Sequence, residues 1–307
     1  MSQTMATFGS GMTRQALSTA TVRAVESYRD EETRLYEDRI GVALLPPLWQ
    51  AFVRPMRWSV VRRPLLAYRE RQFPGVIGNL VCRTRFIDDV LERELRDGVE
   101  QVVVLGAGFD TRAYRIPGID DTDVFEVDHP DVQETKEKRV GSVFGSVPSH
   151  VTFVPVDFDT QKLLTGLDRT AYDRGKRTLF IWEGVSQYIT EAAVDSTLRA
   201  VSTGAGEDSK IVFTYIKRGI VEGPERTAVD ETVMEMAEDQ DSPWITGLDP
   251  DGLDDYLDDR DLALLEDAGA AEYRDRYLDP LDRDTTVYEG ERVAVAEIRP
   301  GDSDDGA

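Results

Sequence analysis

The segment that most narrows what this chain can fold into is Gln101-Val102-Val103-Val104-Leu105-Gly106-Ala107-Gly108-Phe109-Asp110-Thr111-Arg112, where a β-branched apolar run breaks directly into a Gly-Ala-Gly turn. A short buried strand followed by a turn that lets backbone approach a ligand closely is how an α/β fold opens a nucleotide-type site. A second apolar run, Asp123-Val124-Phe125-Glu126-Val127-Asp128, ends in a carboxylate about 20 residues beyond the turn, the offset at which an acidic side chain meets ribose hydroxyls. The third glycine of a dinucleotide fingerprint is missing. Thr111 stands in its place, and Asp110 puts a negative charge beside the turn. That charge would repel a pyrophosphate and suits a cationic amino-acid end, so the pattern favours S-adenosylmethionine over a nicotinamide dinucleotide.

Composition bounds the partners. The 307 residues include 59 acidic and 36 basic side chains, a formal net charge of −23. A general nucleic-acid binder needs a basic footprint to displace counterions, so that class is excluded. The acidity is diffuse, with clusters at 239–241, 254–255, 258–259 and 302–305, a solubility feature used by salt-adapted proteins, so a halophilic source is expected and an ordinary acidic cytosolic protein is the other reading. Cys82 is the sole cysteine, so an intrachain disulfide and a cysteine metal cluster are excluded, and the two histidines, His129 and His150, do not suffice for a transition-metal site. No metal is expected. The segment 1–9 lacks the charged and apolar regions of a signal peptide. The most apolar stretch, Val42 to Tyr68, is interrupted by Pro46, Pro47, Arg54, Pro55, Arg57, Arg62, Arg63 and Pro64, too often for a bilayer span. A cytoplasmic protein without a membrane partner is the expectation.

Along the chain, residues 1–98 read as a helical N-terminal cap, with Ala16, Val22, Val25 and Tyr28 at helical spacings. From 99 to 299 short apolar runs alternate with polar helical stretches, the pattern of a mostly parallel sheet. Strands are predicted at Gln101–Leu105, Val124–Val127, Val151–Val156, Thr178–Trp182, Lys210–Tyr215, Ala271–Tyr277 and Arg292–Ile298. A helix is predicted over Glu191–Ser202, with Thr190 as N-cap and Gly204 past its end. Another is predicted over Leu262–Asp267, closed by Gly269. The polar stretch 217–259 reads as a loop-rich insertion with a helical piece at Glu231–Glu238, placed to lid a site. The acidic segment 300–307 reads as a disordered tail.

Four ordered motifs narrow the reading further: Arg83-Thr84-Arg85-Phe86-Ile87-Asp88-Asp89, Leu105 to Arg115, Phe125-Glu126-Val127-Asp128-His129-Pro130, and Ile181-Trp182-Glu183-Gly184-Val185-Ser186-Gln187-Tyr188-Ile189-Thr190. In this order and spacing the chain resembles the leucine carboxyl methyltransferase family, and within it the prokaryotic branch of S-adenosylmethionine-dependent methyltransferases acting on small molecules. The resemblance runs from about Arg83 to Tyr215. It implies a Rossmann-like α/β methyltransferase fold, a seven-stranded mostly parallel sheet with helices on both faces and the last strand antiparallel. It also implies site roles. Arg83 would hold the methionine carboxylate, Gly106 and Gly108 give the backbone approach, and Asp128 accepts the ribose hydroxyls. Asp157 and Phe158 would meet adenine, with Asp159 an equal candidate on chemistry alone. Glu183 would sit near the methionine amino group and the transferring methyl.

Other residues keep two readings. Tyr188 and Tyr215 would face the acceptor side or pack in the wall, and His129 reads as a cofactor neighbour or packing residue rather than a base. Arg85, Arg112 and Arg115 either anchor a substrate carboxylate or balance Asp88, Asp89 and Asp110. Methyl transfer from a sulfonium mainly requires that an acceptor atom be positioned and water kept out. An ionised carboxylate needs no base, whereas a hydroxyl usually does. With only two histidines to supply a base, and Asp or Glu the other candidates, carboxylate O-methylation is favoured, and the expected partner is a small carboxylate- or hydroxyl-bearing acceptor. Three alternatives stay open: methylation of a protein C-terminal carboxyl, a nicotinamide-dependent oxidoreductase, and a cofactor-binding protein without catalysis.

Overall fold

The computed structural model describes residues 11–158, 161–239 and 242–299. The chain opens with helices α1 (Gly11–Glu26), α2 (Arg39–Leu44), α3 (Pro47–Val53), α4 (Ser59–Gln72) and α5 (Val76–Arg96). In α5 the buried residues Val81, Cys82, Phe86, Ile87, Val90 and Leu91 recur every three or four positions, so one stripe lies on the sheet. Among the described residues no helix is long and apolar enough to cross a membrane.

Strands and helices then alternate: β1 (Gln101–Leu105), α6 (Arg112–Arg115), β2 (Asp123–Asp128), α7 (Pro130–Phe144), β3 (Val151–Pro155), α8 (Leu163–Leu167), β4 (Thr178–Trp182), α9 (Glu191–Thr203) and β5 (Lys210–Ile216). The region beyond holds α10 (Arg218–Glu222), α11 (Ala228–Asp239), α12 (Leu253–Asp258), β6 (Leu262–Ala268), α13 (Ala270–Tyr273) and β7 (Glu291–Ile298). The seven strands form one sheet in the order β3-β2-β1-β4-β5-β7-β6. β7 runs antiparallel to both β5 and β6, and the other pairings are parallel. The expected Rossmann-like α/β architecture is present.

Strands buried on both faces read as continuous apolar runs. Val102 and Val104 face the α5 side, whereas Val103 and Leu105 face Val194, Leu198 and Val201 of α9 and Leu253 and Leu257 of α12. Strand order reverses at β1, whose neighbours are β2 and β4, and such a switch point leaves a crevice at the carboxyl ends of the strands. The cap is fastened to that crevice by the residue standing where a dinucleotide site has its third glycine. Thr111 Oγ1 donates to Asp38 Oδ2 at 2.8 Å, and Asp38 Oδ1 caps α2 by accepting from the Gly41 N–H at 2.7 Å.

Two predicted elements exchange identity. Leu262–Asp267, expected as a helix, is β6, and Ala271–Tyr277, expected as a strand, is α13 continuing into a π-helical turn over Arg274–Leu278. β6 carries a bulge between Leu264 and Glu266 that leaves Leu265 about half exposed, which erases the period-two alternation by which a strand is read. Its pairing with β7 is non-local and overrides its helix-forming composition. In the following segment the Gly269 N–H donates to Glu272 Oε2 at 2.7 Å, starting a helix that buries Tyr273 and Leu278. The predicted α9 is found with its cap, Thr190 Oγ1 accepting from the Ala193 N–H. The acidic segment 300–307 and Asp159 lie outside the described residues.

Candidate functional site

Because β1, β2, β3 and β4 are parallel, their carboxyl ends meet on one side of the sheet, and there they enclose a cavity of about 500 Å³. Gly106, Gly108, Asp128, Asp157, Phe158 and Glu183 line it, joined by Arg83 from α5 and by Tyr188. These eight residues, singled out for the cofactor and for the reacting end, therefore line a single cavity, and the alternative Asp159 lies outside the described residues. His129 lines it too while capping α7, its Nδ1 accepting from the Asp131 N–H.

The turn after β1 is held by its neighbour strand. The Ala107 N–H donates to the Val127 carbonyl at 3.0 Å, and Asp128 Oδ2 accepts from the Gly108 N–H at 2.5 Å while Oδ1 accepts from the His129 N–H at 2.6 Å. Burial raises the Asp128 carboxyl above the usual aspartate value, and these two backbone donors offset only part of that. Gly106 has φ +65°, and a Cβ there would lie 2.4 Å from Val185 Cγ2. Gly106→Ala is accordingly expected to lose about 1–2 kcal/mol from the left-handed backbone alone, plus the overlap with Val185. Urea denaturation of Gly106→Ala and of Gly106→Ala/Val185→Ala checks this, since the second change relieves the overlap and leaves the backbone term. Equal stability of both variants and the wild type would contradict it.

Beneath the cavity lies a chain of buried ion pairs. Arg83 Nε donates to Glu183 Oε1 at 2.9 Å and its Nη1 to Glu291 Oε1. Arg112 Nη1 donates to Glu183 Oε2 at 2.6 Å and to Asp110 Oδ2 at 2.5 Å, and its Nε reaches Asp88 Oδ1 at 2.7 Å. Burial by itself would raise the Glu183 carboxyl, but Arg112 and Arg83 outweigh it and hold Glu183 down to about 2. Glu183 is thus a firmly ionised carboxylate with both oxygens engaged, suited to facing a cation and a poor proton acceptor. Arg115 pairs with Asp88 and Arg85 with Asp89, each at 2.7 Å. Of their two readings, the arginines take the one in which they balance the aspartates. Desolvation pushes the Tyr188 hydroxyl up to about 12, so it is a protonated phenol near neutral pH, and Trp244 Nε1 donates to its oxygen at 3.4 Å. Tyr215 is a core residue bonded to Asp267 and does not line the cavity.

A second cavity, of about 370 Å³, adjoins the first and shares Thr19, Arg83, Gly184 and Tyr188 with it. Its walls come from α1, α3, α4, α5 and α11 and from Trp244. Three site residues escape sequence reasoning. Arg23 of α1 lines the first cavity and donates from Nη2 to the Phe109 carbonyl at 2.5 Å. Glu291 meets Arg83 across 208 positions of sequence, and Asn79 meets Glu291 across 212. No local spacing signals contacts of that range.

With this geometry in hand, comparison with known proteins is informative. Residues 16–202 match the family described as leucine carboxyl methyltransferase. A Streptomyces coelicolor protein named as an S-adenosyl-L-methionine-dependent methyltransferase is 32% identical over 245 residues, covering 78% of this chain and 82% of that protein. A Frankia alni protein of the same name type is 31% identical over 244 residues, with 78% and 82% covered. Among solved structures, a Thermobifida fusca protein titled as a methyltransferase superposes with TM-score 0.56 at 15% identity, over 78% of this chain and 88% of that one. A DUF574 family protein of Streptomyces avermitilis gives 0.57 at 13% identity, over 91% and 97%. At such identities these two structures speak to the fold alone.

Proposed function

Because the chain belongs to the leucine carboxyl methyltransferase family and is an S-adenosylmethionine-dependent methyltransferase, we propose that it acts on an oxygen of a small carboxylate- or hydroxyl-bearing molecule. The observation that supports the small-molecule part is the pair of adjoining cavities, one at the carboxyl ends of β1 to β4 and one beneath the cap, meeting at Arg83, Gly184 and Tyr188. The residues of the first cavity fit the cofactor chemically. Gly106 and Gly108 leave the backbone bare, and Asp128 offers an acceptor for ribose hydroxyls. Asp157 and Phe158 supply an acceptor and a ring face for adenine. The ionised Glu183 suits an ammonium, and Arg83 suits a carboxylate by its planar fork. When bound, the cofactor supplies a methyl group activated on a sulfonium.

The chain's own task is then to bind, orient and exclude water. Tyr188 stands at the junction as a neutral phenol, a positioning group rather than a base at neutral pH. Glu183 stays charged there throughout. The test combines binding with turnover. Calorimetry in molar KCl is expected to show S-adenosylhomocysteine binding and no binding of NAD. Incubation with tritium-labelled S-adenosylmethionine and a panel of carboxyl and hydroxyl metabolites is expected to move label into an extractable product. Binding of NAD without S-adenosylhomocysteine would reverse the reading.

A further inference from the structure

One stretch of the cap carries a charge opposite to that of the chain as a whole. From Arg39 to Arg69 there are 31 residues without one Asp or Glu, where the average composition of the chain would place about six, and six of the 31 are arginines. The same stretch holds six of the ten large apolar side chains that are exposed among the described residues: Leu48 and Phe52 on α3, Trp58 between α3 and α4, and Val60, Val61 and Tyr68 on α4. Leu48 is 65% exposed and Val60 79%. Apolar side chains gathered in this way on a surface mark a place that meets a partner.

The arginines of this face are as open as its apolar residues. Arg54, Arg57, Arg63, Arg69 and Arg71 are exposed, and none of them is ion-paired among the described residues, whereas Arg29 and Arg34 before the stretch and Arg83 and Arg85 after it each hold a carboxylate. Glu70, the first acid beyond the stretch, accepts from the Gly75 N–H at 2.9 Å. Two of the guanidiniums lie on aromatic faces, Arg57 at 4.3 Å from the Trp58 centroid and Arg69 at 4.8 Å from that of Phe73. The buried Arg62 fixes the platform. Its Nη1 donates to the Tyr28 carbonyl at 2.6 Å and to the Met56 carbonyl at 3.3 Å, tying α4 to the end of α1 and to the 3-10 turn Arg54–Arg57. A chain with 59 acidic residues that leaves five neighbouring arginines unpaired presents a positive surface to something outside itself.

Arginines interleaved with Trp, Tyr and aliphatic side chains on helices suit a membrane interface, where the apolar groups enter and the guanidiniums stay among the headgroups. The prolines and arginines that keep this segment from spanning a bilayer do not keep it from lying on one. A second copy of the chain docked on the same face about a two-fold axis would set arginine against arginine. A nucleic acid would match the arginines and leave the protruding aliphatic side chains in water. The second cavity opens here as well, since its lining includes Phe52, 56% exposed, and the exposed Arg69. We propose that the outer face of the cap, from α3 to α4, docks on an anionic lipid surface. Leu48, Trp58 and Val60 enter the boundary between headgroups and acyl chains, and Arg54, Arg57 and Arg63 meet the lipid phosphates. At 0.1 M salt charges are felt over about 10 Å, so the positive face acts on the lipid while most of the chain's net charge of −23 lies out of range.

The test is cosedimentation of the full chain with vesicles of equal parts phosphatidylglycerol and phosphatidylcholine and with vesicles of phosphatidylcholine alone, at the lowest KCl concentration from 0.1 M upward at which circular dichroism shows the chain folded. Partition onto the anionic vesicles is expected to be at least tenfold the stronger. An arginine at such a surface contributes about fivefold, so Arg57→Glu/Arg63→Glu is expected to lose at least tenfold of that partition. Val60→Asp is expected to lose at least fivefold while leaving S-adenosylhomocysteine binding unchanged. Leu265→Asp, which alters an exposed apolar side chain on β6, outside the cap, is the control and is expected to leave partition unchanged. Anionic vesicles are expected to shift tryptophan emission to the blue, and Trp58→Phe to remove most of the shift. Equal partition onto both kinds of vesicle overturns the anionic surface as the partner. Absence of partition by the folded chain, or partition that neither cap variant reduces, overturns the docking face. A dimer in sedimentation equilibrium that Val60→Asp dissociates assigns the face to a second copy of the chain and overturns the proposal.

Discussion

Asp128→Ala is expected to weaken S-adenosylhomocysteine binding by about 100-fold or more. The carboxylate ends β2 and closes the Gly106–Gly108 turn through the Gly108 N–H, and it is the acceptor we propose for the ribose. A hydrogen bond to a charged group contributes about 1.5–3 kcal/mol, and each 1.4 kcal/mol is about tenfold in affinity. Two ribose hydroxyls losing their partner therefore account for the loss even if the turn keeps its shape. Asp128→Asn, which retains one acceptor oxygen, is expected to fall between the alanine variant and the wild type. Calorimetry on both, with thermal melting to show that each is folded, makes the comparison. Binding by the alanine variant within threefold of the wild type would take the ribose away from Asp128. The sign with pH follows from burial, which raises this carboxyl. Protonation removes an acceptor, so affinity is expected to fall as the solution is acidified, starting above the pH at which an ordinary aspartate titrates.

Arg112→Met is expected to cost about 3–5 kcal/mol of folding stability, the range for removing one member of a buried ionic cluster. Arg112 is 1% exposed and holds Asp88, Asp110 and Glu183. In the wild type, burial tends to raise Asp110 and Glu183, but the arginines dominate and both titrate below the usual carboxylate range, Glu183 at about 2. Such groups contribute stability that is present in full above the unfolded carboxylate pKa and is lost as the pH falls towards 2. Without Arg112 the burial penalty is weakly opposed. Those pKa values then rise, and the penalty is greatest at neutral pH and relieved by protonation. The gap in urea-unfolding free energy between wild type and variant should therefore narrow from about pH 7 to about pH 4. A gap that is constant or widens on acidification would show that the carboxylates are not what Arg112 compensates.

What can be read from the amino-acid order and what cannot divides along physical lines. β1, β2 and β4 lie inside a parallel sheet, so their runs are apolar, interrupted in β2 only by the buried Glu126, and their ends mark the cavity: Gly106, Asp128 and Glu183 are all legible as residues that follow or close such a run. β6 is not, because its bulge at Leu265 breaks the alternation and its pairing with β7 is decided by tertiary contact. The first cavity is largely legible because each of its strands brings a motif to it. The second is not. Its walls come from helices whose apolar residues look like any core stripe, and Glu291 and Asn79 become neighbours only when β7 lies next to β5 and near α5. Arg23 is equally hidden, since an arginine on an N-terminal helix carries no mark of its target, the Phe109 carbonyl.

Arg83 borders both cavities, with one guanidinium nitrogen on Glu183 and another on Glu291. A group reaching Arg83 from the first cavity meets its pair with Glu183, and one reaching it from the second meets its pair with Glu291. Among the described residues that line both cavities, Arg83 is the one that carries a charge. Thermodynamic reciprocity fixes the form of any dependence between the two: whatever factor the methyl donor applies to the acceptor's affinity, the acceptor must apply to the donor's. Any coupling that Arg83 carries between the two cavities is therefore one affinity factor, the same whichever ligand is titrated first.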